Sequence, residues 1–128
     1  MYMYVYIYGK ATLAVLAHYV QLSYMHVWFV LGYKTLEVVA NRASAYVHVT
    51  AIKKWDICAG NAIANELGGR QTTLLGDEID YSNSGNPKNL DGLLVTLKDH
   101  DKFLKAIQPE FVKMQKEQAN HRVAKRET

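Results

Sequence analysis

Ala45-Tyr46-Val47-His48-Val49-Thr50-Ala51-Ile52-Lys53-Lys54-Trp55-Asp56-Ile57-Cys58-Ala59-Gly60-Asn61, running on to Gly68-Gly69, contains a change of period on which the fold turns. Tyr46, His48 and Thr50 alternate with Val47 and Val49. A period of two in β-branched residues predicts a strand. From Trp55 onward the period lengthens. Ile57, Asn61, Ala64 and Leu67 recur at helical spacing, with Ala59, Ala62 and Ile63 beside them, and predict a helix to about Leu67. Gly68-Gly69 ends it, because glycine reaches the left-handed conformation that a helix C-terminus needs.

Asp56 is thereby expected in the first turn of a helix, just after a strand. Two readings of it stand. An aspartate there satisfies free N–H groups and complements the helix dipole. Alternatively it reaches into the crevice at the strand end and ligates a hard cation, whose bound phosphate also meets the positive end of the helix. Local chemistry does not separate them. Lys53 and Lys54 allow the same pair of readings, a solvated turn or positive potential beside a phosphate.

Outward from this stretch the remaining candidates thin out. His48 shares a strand face with Tyr46 and Thr50, where a hydrogen-bonded histidine is expected. No second His, Cys or carboxylate stands at zinc spacing, so a zinc site is rejected. Cys58 is the single cysteine, which excludes an internal disulfide; inside the helix it reads as a small buried hydrophobe. Asp77-Glu78-Ile79-Asp80 reads as a polar turn.

The chain has 128 residues, enough for one domain, and 49% of them are hydrophobic, enough for a core. A net charge of +3 suits an anionic substrate without requiring one. Much of the excess lies in Lys113, Lys116, Arg122, Lys125 and Arg126, without the interleaved aromatics of a base-stacking surface, so no nucleic-acid partner is expected. Residues 1 to 8 alternate as a strand that would be an aggregation-prone edge if exposed. Ala11 to Leu31 carries no charged residue and is long enough for a membrane-spanning helix, though His18, Gln21, Ser23 and His26 interrupt it. Thr35 to Ala40 reads as a short helix ending near Asn41, Arg70 to Leu75 as a strand, Gly76-Asp77-Glu78 as its turn, 82–87 as a loop, and Gly92 to Leu97 as a buried strand. His100 to Ile107 predicts a helix, Pro109 the start of another, and the tail past Lys116 is expected to be helical at most in part.

The run Lys54-Trp55-Asp56-Ile57-Cys58-Ala59-Gly60, followed by Glu66-Leu67-Gly68-Gly69, resembles the C-terminal motif of the inositol monophosphatase superfamily, Trp-Asp-x-x-Ala-Gly and then Glu-Ala-Gly-Gly. The wider segment, Gly32-Tyr33-Lys34 to Thr73, is most similar to the branch acting on adenosine 3′,5′-bisphosphate in the Golgi, and the likeness as a whole runs from about Gly32 to Leu97. The resemblance implies an α/β fold, the C-terminal half of a layered αβαβα sandwich, with a small mixed sheet and packed helices. It also implies a magnesium-dependent, lithium-sensitive phosphomonoesterase that takes adenosine 3′,5′-bisphosphate to AMP and phosphate, or hydrolyses an inositol phosphate.

In that family the aspartate of Trp-Asp is a metal ligand, which makes Asp56 the candidate ligand for Mg2+. Gly32 and Lys34 stand where the nucleotide binds and are the candidate substrate contacts, a solvated surface lysine being the other reading of Lys34. Members of the family are roughly twice this length for their one domain. Their N-terminal part carries a metal-binding glutamate and an Asp-Pro-x-Asp-x-Thr/Ser motif, neither of which is found here. No catalytic residue is therefore expected in this chain, and the polypeptide alone is expected to be inactive. The alternative is a non-catalytic member acting by association with a full-length partner, since the family dimerises. The expected divisions are 1–30, outside the family likeness and either a membrane anchor or sequence foreign to the working protein; 31–108, the phosphatase part; and 109–128, a polar, basic tail.

Overall fold

The computed structural model describes residues 4–7, 31–82 and 85–126. In chain order its elements are β1 (Tyr4–Ile7), α1 (Leu31–Val39), β2 (Ala45–His48), β3 (Ile52–Lys53), α2 (Cys58–Glu66), β4 (Arg70–Thr72), β5 (Lys88–Asn89), β6 (Leu93–Thr96) and α3 (His100–Arg126). A 3-10 turn, Lys54–Asp56, joins β3 to α2.

Four strands form one sheet in the order β1-β2-β6-β4, and β3 pairs with β5 apart from it. Every pairing among the described residues is antiparallel, which corrects the expected mixed sheet. The reason lies in the threading. β2 and β4, on either side of a crossover through α2, do run parallel to each other, but β6 inserts between them and opposes both. β1 lies at the sheet edge, Tyr4 opposite His48 and Ile7 opposite Ala45, where a strand was expected in residues 1 to 8.

The strand alternation sorts side chains onto two covered faces. Tyr46, Leu93 and Val95 pack with Val38 of α1, with Ala64 of α2 and with Ile57 at its start. Ala45, Val47 and Leu94 face the other way, with Leu74 and with Phe111 of α3. Helices therefore lie on both sides of the sheet, giving an α/β layered fold. Each buried Leu, Val or Tyr contributes about 1.5–3 kcal/mol by leaving water. The exposed pairs of Arg70 with Glu78 and Asp101, at 3.4 Å each, are ion pairs of a kind worth about 0–1 kcal/mol. Packing, not surface charge, holds the layers.

One glycine sets how closely α1 and α2 approach, and another ends α2. A Cβ on Gly60 would meet the Thr35 side chain at 3.1 Å, so this position lets α2 lie against α1. Gly68 has φ +79°, and the Gly68 and Gly69 N–H groups donate to Asn65 and Ala64 carbonyls at 3.1 and 2.8 Å. That is the expected helix stop. Leu67 follows the last helical residue and is 56% exposed, so it does not join the stripe of Ile57, Asn61 and Ala64.

α1 ends where expected, with Asn41 at φ +58°, but begins at Leu31 and so includes Gly32, Tyr33 and Lys34. The expected strand from Arg70 to Leu75 stops at Thr72, because the chain turns there: Thr73 N–H donates to Asp77 O at 2.9 Å and Gly76 N–H to Thr73 O at 3.1 Å.

α3 departs further from expectation. It is one helix with Pro109 inside it, not two, and it continues to Arg126 instead of fraying past Lys116. Proline costs a helix interior about 3 kcal/mol through its lost N–H and a clash with the preceding turn. Here Phe103, Leu104, Ile107, Phe111 and Met114 form a stripe that spans the proline and packs on the sheet. Gln108 also donates to Leu75 O at 3.0 Å beside it. At the other end His100 bonds Thr72 and Thr96 hydroxyls through its two ring nitrogens, each at 2.8 Å, tying the first turn of α3 to β4 and β6.

Candidate active site

The 3-10 turn that carries Asp56 is held on both sides. Lys54 N–H donates to Pro87 O at 2.8 Å, and Ile57 N–H to Lys54 O at 3.2 Å. Ile57, not Asp56, is the N-cap of α2, and no side-chain hydrogen bond caps that helix. The helix therefore starts after Asp56 and not at Trp55, and the capping reading of Asp56 is not what the structure has. The side chain is exposed, and among the described residues it takes no hydrogen bond and no ion pair.

The neighbours of Asp56 divide differently from expectation. The Lys53 ammonium sits 4.8 Å from the centroid of the Trp55 ring, itself 59% exposed. The ring face attracts that charge, so Lys53 is engaged by the tryptophan. Lys54 lends its charge to Asp80. The Asp80 carboxyl is held below its usual range first by the Ser82 hydroxyl, at 2.6 Å, then by the Ser82 N–H at 2.8 Å, with Lys54 adding to both. The Asp77–Asp80 segment is thus the polar turn expected of it, with Glu78 turned toward Arg70. Cys58 is exposed, not buried, because α2 turns Gly60, Asn61 and Ala64 inward and leaves position 58 on the solvent side.

Lys34 lies in the opposite kind of environment. It is buried on α1 with its ammonium 5.5 Å from the centroid of the Tyr46 ring. Burial pulls its pKa down to about 8, so it remains largely charged at neutral pH. It is not a solvated surface lysine. The Tyr46 hydroxyl and His48 Nδ1 are 3.2 Å apart, and His48 Nε2 and the Thr50 hydroxyl 2.9 Å apart. Burial, reinforced by the charge of Lys34 and opposed by a backbone contact at Ala51, pushes His48 down to about 4. The histidine is therefore neutral at pH 7, a spacer in a polar chain behind Lys34. Gly32, half-buried, stands in the first turn of α1.

Asp56 and Lys34 are mounted on the same layer. Val38 of α1, Tyr46 of β2 and Ile57, the residue after Asp56, share one apolar cluster. Among the described residues no group of three or more His, Cys, Asp or Glu side chains is placed to hold a metal, so Asp56 is a single carboxylate there. Also among the described residues, no helix is long and apolar enough to cross a membrane. The uncharged stretch expected to permit that, 11–31, lies outside the described residues apart from Leu31.

Sequence reasoning overlooked Gln71, Tyr81 and the side chain of Asn61. Gln71 is fully buried on β4, and its amide nitrogen donates to Ile57 O at 3.1 Å and to the Tyr81 hydroxyl at 3.4 Å. Asn61 donates to the same hydroxyl at 3.0 Å. The one available signal was a glutamine in a strand position that pairs with Val95, where an apolar residue is expected.

Known proteins bear on this arrangement directly. Residues 10–108 match the sequence model of the inositol monophosphatase family, a span reaching well upstream of Gly32 into the segment expected to lie outside the likeness. A protein named putative inositol monophosphatase 3 from Drosophila pseudoobscura pseudoobscura is 56% identical over 73 residues, covering 57% of this chain and 21% of that protein. The Golgi-resident adenosine 3′,5′-bisphosphate 3′-phosphatase of Callithrix jacchus is 44% identical over 89 residues, covering 65% of this chain and 24% of its own length. The matched segment is thus under a quarter of each relative. A crystal structure of SaIMPase-II with 2′-AMP bound superposes with a TM-score of 0.56 at 19% identity, over 70% of this chain and 34% of that one, a likeness of fold. With the Trp-Asp turn, the Gly-Gly stop and the layered sheet all in place, this chain belongs to the inositol monophosphatase family.

Proposed function

We propose that the chain contributes one metal ligand and the substrate-facing lysine of a magnesium-dependent phosphomonoesterase of the 3′(2′),5′-bisphosphate nucleotidase type. The reaction is hydrolysis of adenosine 3′,5′-bisphosphate to AMP and phosphate, with an inositol phosphate as the other ester of the class. The carrying observation is Asp56: an exposed carboxylate of the family motif, beside the start of a helix, with no partner among the described residues. Its chemistry fits Mg2+, which takes an octahedral shell of hard oxygens. One carboxylate would take one place in that shell, with water and the substrate phosphate among the other ligands. When bound, magnesium activates water and neutralises charge on the leaving oxygen.

The residues of this chain then do three things. Asp56 offers its carboxylate oxygen to the ion. Lys34, charged and desolvated over Tyr46, contacts a substrate phosphate with a strength that bulk water would not permit. Gly32 contributes its backbone: it stands in the first turn of α1, where the positive end of the helix favours an anion. Residues 32 and 34 are about 200° apart around a helix, so the two contacts are of different kinds, a main-chain N–H and a side-chain ammonium.

The names of the relatives support a Golgi location, and the family habit supports a homodimer. Because Asp56 stands as a single carboxylate at the site among the described residues, the 128-residue polypeptide by itself is expected to release no phosphate. In that case it acts through a full-length partner. The test is titration of the isotopically labelled chain with adenosine 3′,5′-bisphosphate and Mg2+, followed amide by amide. Shifts centred on 32–34 and 55–58, weakened in Lys34→Met, support the reading. Shifts elsewhere, or magnesium-dependent phosphate release by this chain alone, contradict it.

A further inference from the structure

Because Asp56 has no side-chain partner among the described residues, its carboxylate is placed solely by the backbone of the turn beneath it. The next residue, Ile57, offers a carbonyl that accepts twice: from Asn61 N–H at 2.9 Å, the first bond of α2, and from the Gln71 amide at 3.1 Å. The same Gln71 nitrogen and the Asn61 side chain both donate to the Tyr81 hydroxyl, at 3.4 and 3.0 Å. A strand, a helix and a loop thus meet on one carbonyl and one phenol.

The glutamine is costly where it stands. Its carbonyl oxygen is buried without a partner among the described residues, as is that of Asn61. An unmade hydrogen bond of that kind is destabilising. Gln71 faces the cluster of Val95 and Ile57, where an apolar side chain of similar shape would carry no such burden. What the amide does, and an apolar side chain would not, is hold the carbonyl next to Asp56.

We infer that Gln71 and Tyr81 are positioning residues, a brace that fixes the Asp56 turn against β4 and the 77–82 loop. The turn itself is the object of the brace; its use in holding a metal rests on the reading of Asp56 given above. The test is amide hydrogen exchange on the metal-free 128-residue chain, comparing Gln71→Met and Tyr81→Phe with the parent. Exchange at Ile57 and Asn61 is expected to rise by on the order of tenfold, the size of one net hydrogen bond. Exchange along β6 and the melting temperature stay level, or the melting temperature rises in Gln71→Met. Tyr81→Phe removes a single half-exposed hydroxyl, so it keeps the test sound if the core substitution fails to fold. Unchanged exchange at Ile57 and Asn61 in both variants, or a rise spread evenly over the whole sheet, would overturn the brace. Mn2+ titration of Asp56→Asn separates the two readings. Undiminished binding in that variant removes the metal role of Asp56, whereas the exchange data judge the brace.

Discussion

Asp56 and Lys34, the two charges proposed for the site, are held in opposite ways. The aspartate is exposed, uncommitted among the described residues, and placed by its backbone. The lysine is buried, set over the ring of Tyr46 and backed by a neutral histidine. The difference teaches where each obtains its strength. A carboxylate meant for a hard cation must stay free of competing partners, while an ammonium meant for a phosphate gains from being stripped of water. The first kind of residue is nearly silent in stability, and the second is built into the core.

The sharpest way to break that contrast is at Tyr46, the largest fully buried side chain. Tyr46→Ala is expected to destabilise the fold by about 3–5 kcal/mol, as large aromatic truncations do, read by chemical denaturation. A loss below about 1 kcal/mol would say that the platform under Lys34 is not core. Next in size is acid. His48 titrates at about 4 when folded and at its ordinary 6.5 when unfolded, so the unfolded chain binds more protons between those values. The His48 contribution is fully present above pH 6.5 and is lost as pH falls toward 4, on the order of 2–3 kcal/mol. His48→Gln should flatten that acid limb in a melting-temperature series.

Lys34 produces an alkaline limb of the same sign. Its folded pKa of about 8 lies below the unfolded 10.5, so its burial penalty is constant below pH 8 and is relieved as pH rises from 8 to 10.5. Lys34→Met should abolish that rise and leave stability at pH 7 unchanged or higher by about 1 kcal/mol, while weakening the nucleotide. The smallest expected effect is at Asp56. Asp56→Asn should leave stability within about 0.5 kcal/mol of the parent, since no described contact is lost.

These residues also mark how far the sequence could be read. The strand at Tyr46, the Gly68 stop and Asn41 were legible because period and left-handed glycine or asparagine are local signals. Asp56 stood out only through the motif around it, as local chemistry did not separate a ligand from a cap, and the structure lacks the cap. The burial of Lys34 was not legible. It depends on which helix face meets β2, and that is decided by partners far along the chain. Cys58 misled for the same reason: one helix position separates the buried face from the exposed one. Pro109 misled because a local rule lost to a stripe of five apolar residues packing across it. The Gln71–Tyr81 brace joins residues ten apart in sequence to a carbonyl fourteen away from Gln71, a geometry no window of sequence contains.

The most direct test of the metal role of Asp56 is paramagnetic broadening of the labelled 128-residue chain by dilute Mn2+, an ion that takes the same oxygen ligands as magnesium. Broadening centred on residues 55–58 that disappears in Asp56→Asn is the predicted result. Broadening spread over other carboxylates, or persisting undiminished in the variant, would contradict it.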